Sequence, residues 1–294
     1  MDENDKLSQE KMNNARIRNI TGTEEADSIL AFIKGQQRAE NVQRKLPFVW
    51  NLEYNCIKSV AIGTKHFAAD CYQTDICEKL AGIEQVLIEF DLGKSPSEEL
   101  VHAQENIASL VAELSPEDQA RVAPLMHALT QGGKITRVQI GESGTNLLGV
   151  DGCVYRRAQQ QDLLIYGLES RERERDLCIG KWEKFTTALK TAKENPALFA
   201  LMTHPRVIKM ITDKIDAVHA AYDRGDGATV AELAKDEPDY DKFVLDRNKI
   251  QALESLPYVT SSPTAVVVGV AHFVCEPSVL DVYRMKGIRV ERVQ

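Results

Sequence analysis

Two histidines occupy the same local frame. Gly63-Thr64-Lys65-His66-Phe67 and Gly269-Val270-Ala271-His272-Phe273 each set a glycine three residues before a histidine and a phenylalanine directly after it. Each copy follows an apolar run, Val60-Ala61-Ile62 in the first and Ala265-Val266-Val267-Val268 in the second. Imidazole exchanges protons near neutral pH and is the commonest metal ligand. A glycine beside it lets another group approach the backbone. One histidine after a strand is most simply a hydrogen-bonded structural residue. The repetition, and the carboxyl end of a strand as its setting, make this pair a candidate site.

Two carboxylates occupy a second repeated frame. Val86-Leu87-Ile88 leads into Glu89, and the run over residues 163–168 leads into Glu169. A carboxylate at the end of a buried strand is costly unless it is paired or bound to a cation. The alternative is a strand-end residue already facing water. Asp246-Arg247-Asn248 lies in a helical stretch, and spacing alone places Arg247 and Asn248 on the surface. His102 and His127 fall in amphipathic helices and are expected to be solvated or packed. The six cysteines include no C-x-x-C pair. Cys71 and Cys77 are spaced more widely than paired zinc ligands usually are, so reduced structural thiols are expected.

These residues need strands to carry them and helices to connect the strands. Residues 265–269 form an apolar, largely β-branched run, the pattern of a strand buried on both faces. After it, Glu276-Pro277-Ser278 reads as a helix start with Pro277 in the first turn, and Gly287 as its stop. Residues 288–293 alternate as a last strand. Residues 46–54 and 59–62 read as a hairpin turning at Asn55-Cys56, and residues 85–91 and 163–169 as two further strands. Helices are expected from Ser97, from Ser115-Pro116, over 151–161, 171–194, 204–223, 228–234 and 239–256. Residues 135–150 are ambiguous, with a possible strand at 135–140.

Strands alternating with helices predict an α/β fold: a mostly parallel or mixed central sheet flanked by helices, with residues 170–256 as a helical cap-like insertion. Residues 1–40 read as a polar tail with one possible helix, and residues 41–294 as the folded domain.

Composition narrows the function. A net charge of −8 argues against nucleic-acid backbone binding as the main task. No apolar stretch is long enough to span a bilayer. The N-terminus is polar and lacks a signal-peptide core, so a cytoplasmic location is expected, with export by a specialised secretion system as the alternative. No dinucleotide fingerprint, P-loop or G-x-S-x-G elbow is present.

Taken in order, Gly63-Thr64-Lys65-His66, Leu87-Ile88-Glu89, Gly167-Leu168-Glu169, Asp246-Arg247-Asn248 and Gly269-Val270-Ala271-His272 resemble the TraB/GumN/Tiki family. Phe48-Val49-Trp50, Arg224-Gly225-Asp226 and the ending Gly287-Ile288-Arg289-Val290-Glu291 add to the likeness, which runs from residue 46 to the C-terminus. Two family glycines are replaced here, by Cys275 and Ser278. The resemblance implies a metal-dependent hydrolase fold related to erythromycin-esterase-like and haem-binding ChaN-like proteins. It points to a peptidase, because Tiki members resemble metalloproteases and TraB members act against a peptide pheromone. Carried over, the metal ligands fall on His66, Glu89 and His272. The other catalytic positions fall on Glu169, Arg247 and Asn248, with Glu89 shared between the two sets.

Imidazole and carboxylate donors suit a divalent ion, expected to be manganese, cobalt or zinc. The substrate would be a peptide or protein. Glu89 or Glu169 would bind metal or take a proton from water. Arg247 would hold a substrate carboxylate or an oxyanion, with Asn248 donating to the same group. Two other readings use the same residues: a non-enzymatic protein that sequesters a peptide, haem or metal, with Cys275 as a soft ligand, or an exported effector acting through an interaction surface and addressed by residues 1–40.

Overall fold

The computed structural model describes residues 44–65, 72–89, 102, 106–107, 109–131, 149–237 and 239–293. His66, Cys71, the N-terminal tail, the start of the helix expected from Ser97 and the stretch at 135–148 lie outside the described residues, as does the side chain of His127; residues 102, 106–107 and 109–112 of that expected helix are helical. The chain separates into Met1–Arg44 and Lys45–Gln294, and all that follows concerns the second unit.

Strands β1 (Val49–Tyr54) and β2 (Ile57–Thr64) pair antiparallel with Tyr54 opposite Ile57. The link is Asn55-Cys56, and both residues have positive φ, 48° and 68°. A two-residue turn with both residues left-handed matches the twist of the strands it joins. Helix α1 (Gln73–Lys79) leads to β3 (Gln85–Ile88), every residue of which is buried. Next come α2 (Pro116–Gln131), α3 (Val150–Gln160) and β4 (Leu164–Gly167). Helix α2 starts as its sequence requires: Pro116 opens it, and the Asp118 amide donates to Ser115 Oγ at 3.1 Å.

The long insertion between β4 and β5 is helical. It contains α4 (Arg171–Glu194), α5 (Pro196–Met202), α6 (Pro205–Asp223), α7 (Gly227–Lys235), a π-helical turn (Asp241–Leu245) and α8 (Asp246–Val259). Asn195 separates α4 from α5, because its side chain caps the amides of Ala197 and Leu198. The stretch expected as one helix over 239–256 instead begins with the π turn. Strand β5 (Thr264–Gly269) follows, then the single turn α9 (Ala271–Val274), α10 (Val279–Met285) and β6 (Arg289–Arg292). Pro277 is not in the first turn of α10. Ser278 caps that helix through a reciprocal pair with Asp281, so the proline lies just before the cap. Gly287, at φ 80°, lies just beyond its end.

The six strands form one mixed sheet in the order β4-β3-β5-β2-β1-β6. β4, β3, β5 and β2 are mutually parallel, and β1 and β6 add antiparallel at one side. The chain is therefore an α/β protein. Strand β5 enters last but lies between β2 and β3, with Gly63 opposite Val268 and Ile88 opposite Val267. Its valines, Val266, Val267 and Val268, are at most 1% exposed. Each stabilises the fold by roughly 1.5–3 kcal/mol through burial. The main core surrounds this sheet, and a smaller apolar cluster joins Val122 on α2, Leu189 on α4 and Phe199 on α5. Among the described residues no helix is long and apolar enough to cross a membrane.

Parallel strands point their carboxyl ends the same way. Read along that end, β4 delivers Glu169, β3 delivers Glu89, β5 delivers Gly269 and the turn bearing His272, and β2 delivers Thr64 and Lys65. The helical insertion reaches this end from α6 and from α8. Tyr222 on α6 donates its hydroxyl to Gly63 O at 2.7 Å, and Arg247 on α8 reaches Glu89 and Glu169.

Candidate active site

Glu89 and Glu169 are neighbours because β3 and β4 are. The amide of Glu169 donates to Glu89 O at 3.2 Å, just beyond the last paired residues of the two strands, Ile88 and Gly167. Glu169 is fully enclosed, with 0% of its side chain exposed, whereas Glu89 keeps 11%. Neither faces water as an ordinary strand-end residue would. A guanidinium lies between them. Arg247 donates through Nε to Glu169 Oε1 at 2.7 Å, through Nη2 to Glu89 Oε1, and through Nη1 to Phe243 O at 3.2 Å. Burial works against the charge on Arg247. The two carboxylates outweigh it and hold the guanidinium pKa above the ordinary arginine value.

Arg247 and Asn248 are not surface residues. Arg247 is 6% exposed and Asn248 1%. The reason is the face of α8 on which they lie: Arg247, Asn248, Gln251 and Ser255 recur at helical spacing and are all buried. Gln251 Nε2 donates to Glu169 Oε1 at 2.6 Å, and Ser255 Oγ lies 2.5 Å from the Tyr283 hydroxyl on α10. Sequence reasoning passed over Gln251. The available signal was this polar stripe at positions 248, 251 and 255, which an amphipathic helix packed only on apolar neighbours would not carry.

Asn248 fixes the orientation of His272. Its amide nitrogen donates to Pro277 O at 2.7 Å and to Cys275 O at 3.1 Å. The carboxamide oxygen is thereby turned to the ring, 2.7 Å from His272 Nδ1. Nδ1 carries the proton of that bond, so in the neutral ring Nε2 presents its lone pair. Nε2 lies 3.9 Å from Glu89 Oε1. The other Glu89 oxygen, Oε2, accepts from the Gly269 amide at 3.1 Å. The glycine of the second motif thus holds the carboxylate through its N–H.

Cys275 contributes its backbone here and not its thiol. The residue is fully buried, and burial pushes its thiol pKa up, which works against a thiolate ligand for haem or a soft metal. His102 is exposed, as an amphipathic helix allows. Lys65, directly before His66, pairs with Asp223 at 2.5 Å and lies over the Tyr222 ring, 5.1 Å from its centroid. Tyr72 donates to the same Asp223 oxygen at 2.8 Å. These contacts tie the end of β2 to the end of α6.

The structure therefore brings Glu89, Glu169, Arg247, Asn248 and His272 together. Among the described residues no three His, Cys, Asp or Glu side chains gather as a metal site, and His66, the remaining expected ligand, lies outside them. No curated protein and no solved structure matches this chain. A family model does: the TraB/PrgY/gumN family model spans residues 48–292, covering every strand from β1 to β6 and each residue of this cluster. The chain belongs to the TraB/PrgY/gumN family.

Proposed function

We propose that the chain is a metal-dependent hydrolase acting on peptides, with His66, Glu89 and His272 as metal ligands. The observation that carries this reading is the meeting of His272 Nε2 and Glu89 Oε1, 3.9 Å apart, at the carboxyl end of a parallel sheet. The donor chemistry fits a divalent ion. One donor is an imidazole whose tautomer is fixed by Asn248; the other is a carboxylate steadied by the Gly269 amide. Manganese, cobalt and zinc all accept this mix of nitrogen and oxygen. When bound, such an ion acidifies a water and polarises a carbonyl.

The residues of the chain divide the remaining work. Glu89 is the more exposed of the two carboxylates, which suits it better than Glu169 to take a proton released at the site. Glu169 has no exposed side-chain surface and acts through Arg247, as a positioning residue. Asn248 spends both amide hydrogens on Cys275 and Pro277, so it orients His272 and does not donate to substrate.

The test uses the full-length protein, stripped with chelator, reloaded with Mn²⁺, Co²⁺ or Zn²⁺ in turn and incubated with a defined peptide pool read by mass spectrometry. Metal-restored cleavage that is lost in His66→Ala and in His272→Ala is the expected result. Absence of metal-dependent cleavage in every preparation would overturn the reading.

A further inference from the structure

The Glu89 oxygen that faces His272 is also the one that takes Arg247. Oε1 lies 3.9 Å from His272 Nε2 and accepts from Arg247 Nη2. Three acceptors hold the guanidinium there: Glu89 Oε1 at Nη2, Glu169 Oε1 at Nε, 2.7 Å away, and Phe243 O at Nη1, 3.2 Å away, while Gln251 braces Glu169 at 2.6 Å. The positive charge is built into the cluster and does not belong to a mobile surface side chain. Glu89, Glu169, Arg247 and Arg173, whose Nε lies 3.7 Å from Glu169 Oε2, together carry two negative and two positive charges. A cluster balanced in this way offers little net attraction to a cation.

We infer that Arg247 is a built-in competitor of the metal ion: it occupies the Glu89 oxygen nearest His272 and thereby sets how weakly the site binds a divalent cation. This rests on the metal-dependent reading above. The physical ground is Coulombic. A cation between His272 and Glu89 would meet a fixed guanidinium on the same carboxylate, in surroundings that screen poorly. Glu169 is the counterweight. By sharing Arg247 it keeps the guanidinium from committing wholly to Glu89. The two flanking residues therefore act with opposite sign: removing the Arg247 charge should tighten metal binding, and removing the Glu169 charge should loosen it.

The experiment is a calorimetric titration of MnCl2 into chelator-stripped, full-length protein. It compares wild type with Arg247→Gln, Arg247→Lys and Glu169→Gln, and measures the Mn²⁺-dependent rise in melting temperature for each. Removal of one nearby positive charge is expected to lower the Mn²⁺ Kd about tenfold or more in Arg247→Gln. Arg247→Lys, which keeps the charge, stays near wild type, and Glu169→Gln binds more weakly. The melting-temperature rise follows the same order, because a ligand stabilises by how tightly it binds the folded state. If Arg247→Gln should fail to fold, the contrast between Arg247→Lys, unchanged, and Glu169→Gln, weakened, decides: a Glu169→Gln variant that binds as tightly as wild type overturns the inference. Wild type and Arg247→Gln binding Mn²⁺ equally would also overturn it and leave the hydrolase reading standing. Failure of every variant to bind Mn²⁺ would remove both.

Discussion

The two glycines of the repeated motif do different jobs. Gly63 and Gly269 lie one register step apart on adjacent parallel strands, with Thr64 opposite Gly269 and the Val270 amide donating to Thr64 O at 3.0 Å. A Cβ on Gly63 would lie 3.0 Å from Phe48 Cβ and 3.3 Å from the Val270 backbone, so that glycine exists to let the strand ends pack. A Cβ on Gly269 would meet Glu89 Oε2 at 3.5 Å and His272 Cδ2 at 3.6 Å, which is ordinary contact. Its backbone N–H, donated to Glu89, is what the site uses. One sequence pattern thus serves packing on β2 and polar geometry after β5. Motif identity alone does not reveal which physical demand a residue answers.

The sharpest way to break this contrast is to fill both positions. Gly63→Val should cost about 3 kcal/mol, because the neighbours it meets are the Val270 backbone, just past the end of β5, and the buried Phe48, neither of which can readily withdraw. Urea unfolding measures it, and a loss under about 1 kcal/mol would refute the packing role. Asn248→Ala comes next, at about 2 kcal/mol. It strands the buried carbonyl of Cys275 and the Nδ1–H of His272, and releases the Pro277 carbonyl. On the proposed hydrolase reading, cleavage should be lost even where Asn248→Ala stays folded, because the ring loses the group that sets its tautomer. Gly269→Ala should cost under about 1 kcal/mol in the same unfolding assay, since its added methyl makes only ordinary contacts.

Much of the frame was legible in the sequence. The hairpin at Asn55-Cys56, the buried β5, the glutamate after β3 and the helix opened by Ser115-Pro116 all follow from local rules: turn chemistry, apolar runs and capping. Arg247 and Asn248 were not legible from spacing, because an arginine on a helix normally faces water. Only the order of the strands, which sets Glu89 beside Glu169, creates an acidic niche that pays for its burial. The π turn before α8 was hidden for a similar reason, since its sequence is compatible with an ordinary helix. The resemblance to a family named these positions. The structure supplies their contacts: Arg247 binds two carboxylates of its own chain, and Asn248 binds a histidine.

A smaller effect separates the two motifs by pH. His219, on α6, lies near the first motif, and burial followed by the charge of Lys65 holds its pKa below the ordinary 6.5. A histidine with a depressed folded-state pKa binds protons better when unfolded. Its contribution to stability is therefore complete above pH 6.5 and declines as the pH falls below that value. Unfolding at stepped pH should show wild type losing stability faster than His219→Gln between pH 6.5 and 5. Parallel curves would mean that the site around Lys65 is not sensitive to this charge.

The smallest expected effect compares an exposed thiol at the far end of β2 from the first motif with the buried thiol beside the second. Cys56 is exposed in the turn before β2, and Cys275 is buried three residues after His272. Burial raises the Cys275 pKa, which disfavours the reactive thiolate, and the residue is enclosed as well. Iodoacetamide should label Cys56 readily and leave Cys275 unmodified in the native protein, as read by peptide mass spectrometry. Labelling of Cys275 should rise in Asn248→Ala, because that side chain ties the Cys275 and Pro277 carbonyls to α8. It should rise less in Gly63→Ala, where the added Cβ comes closest to Phe48, at 3.0 Å, and the Asn248 hydrogen bonds to the Cys275 and Pro277 carbonyls are kept. Equal labelling in the two variants would show that the motif ends open together, and the division between a packing glycine and a site glycine would fail.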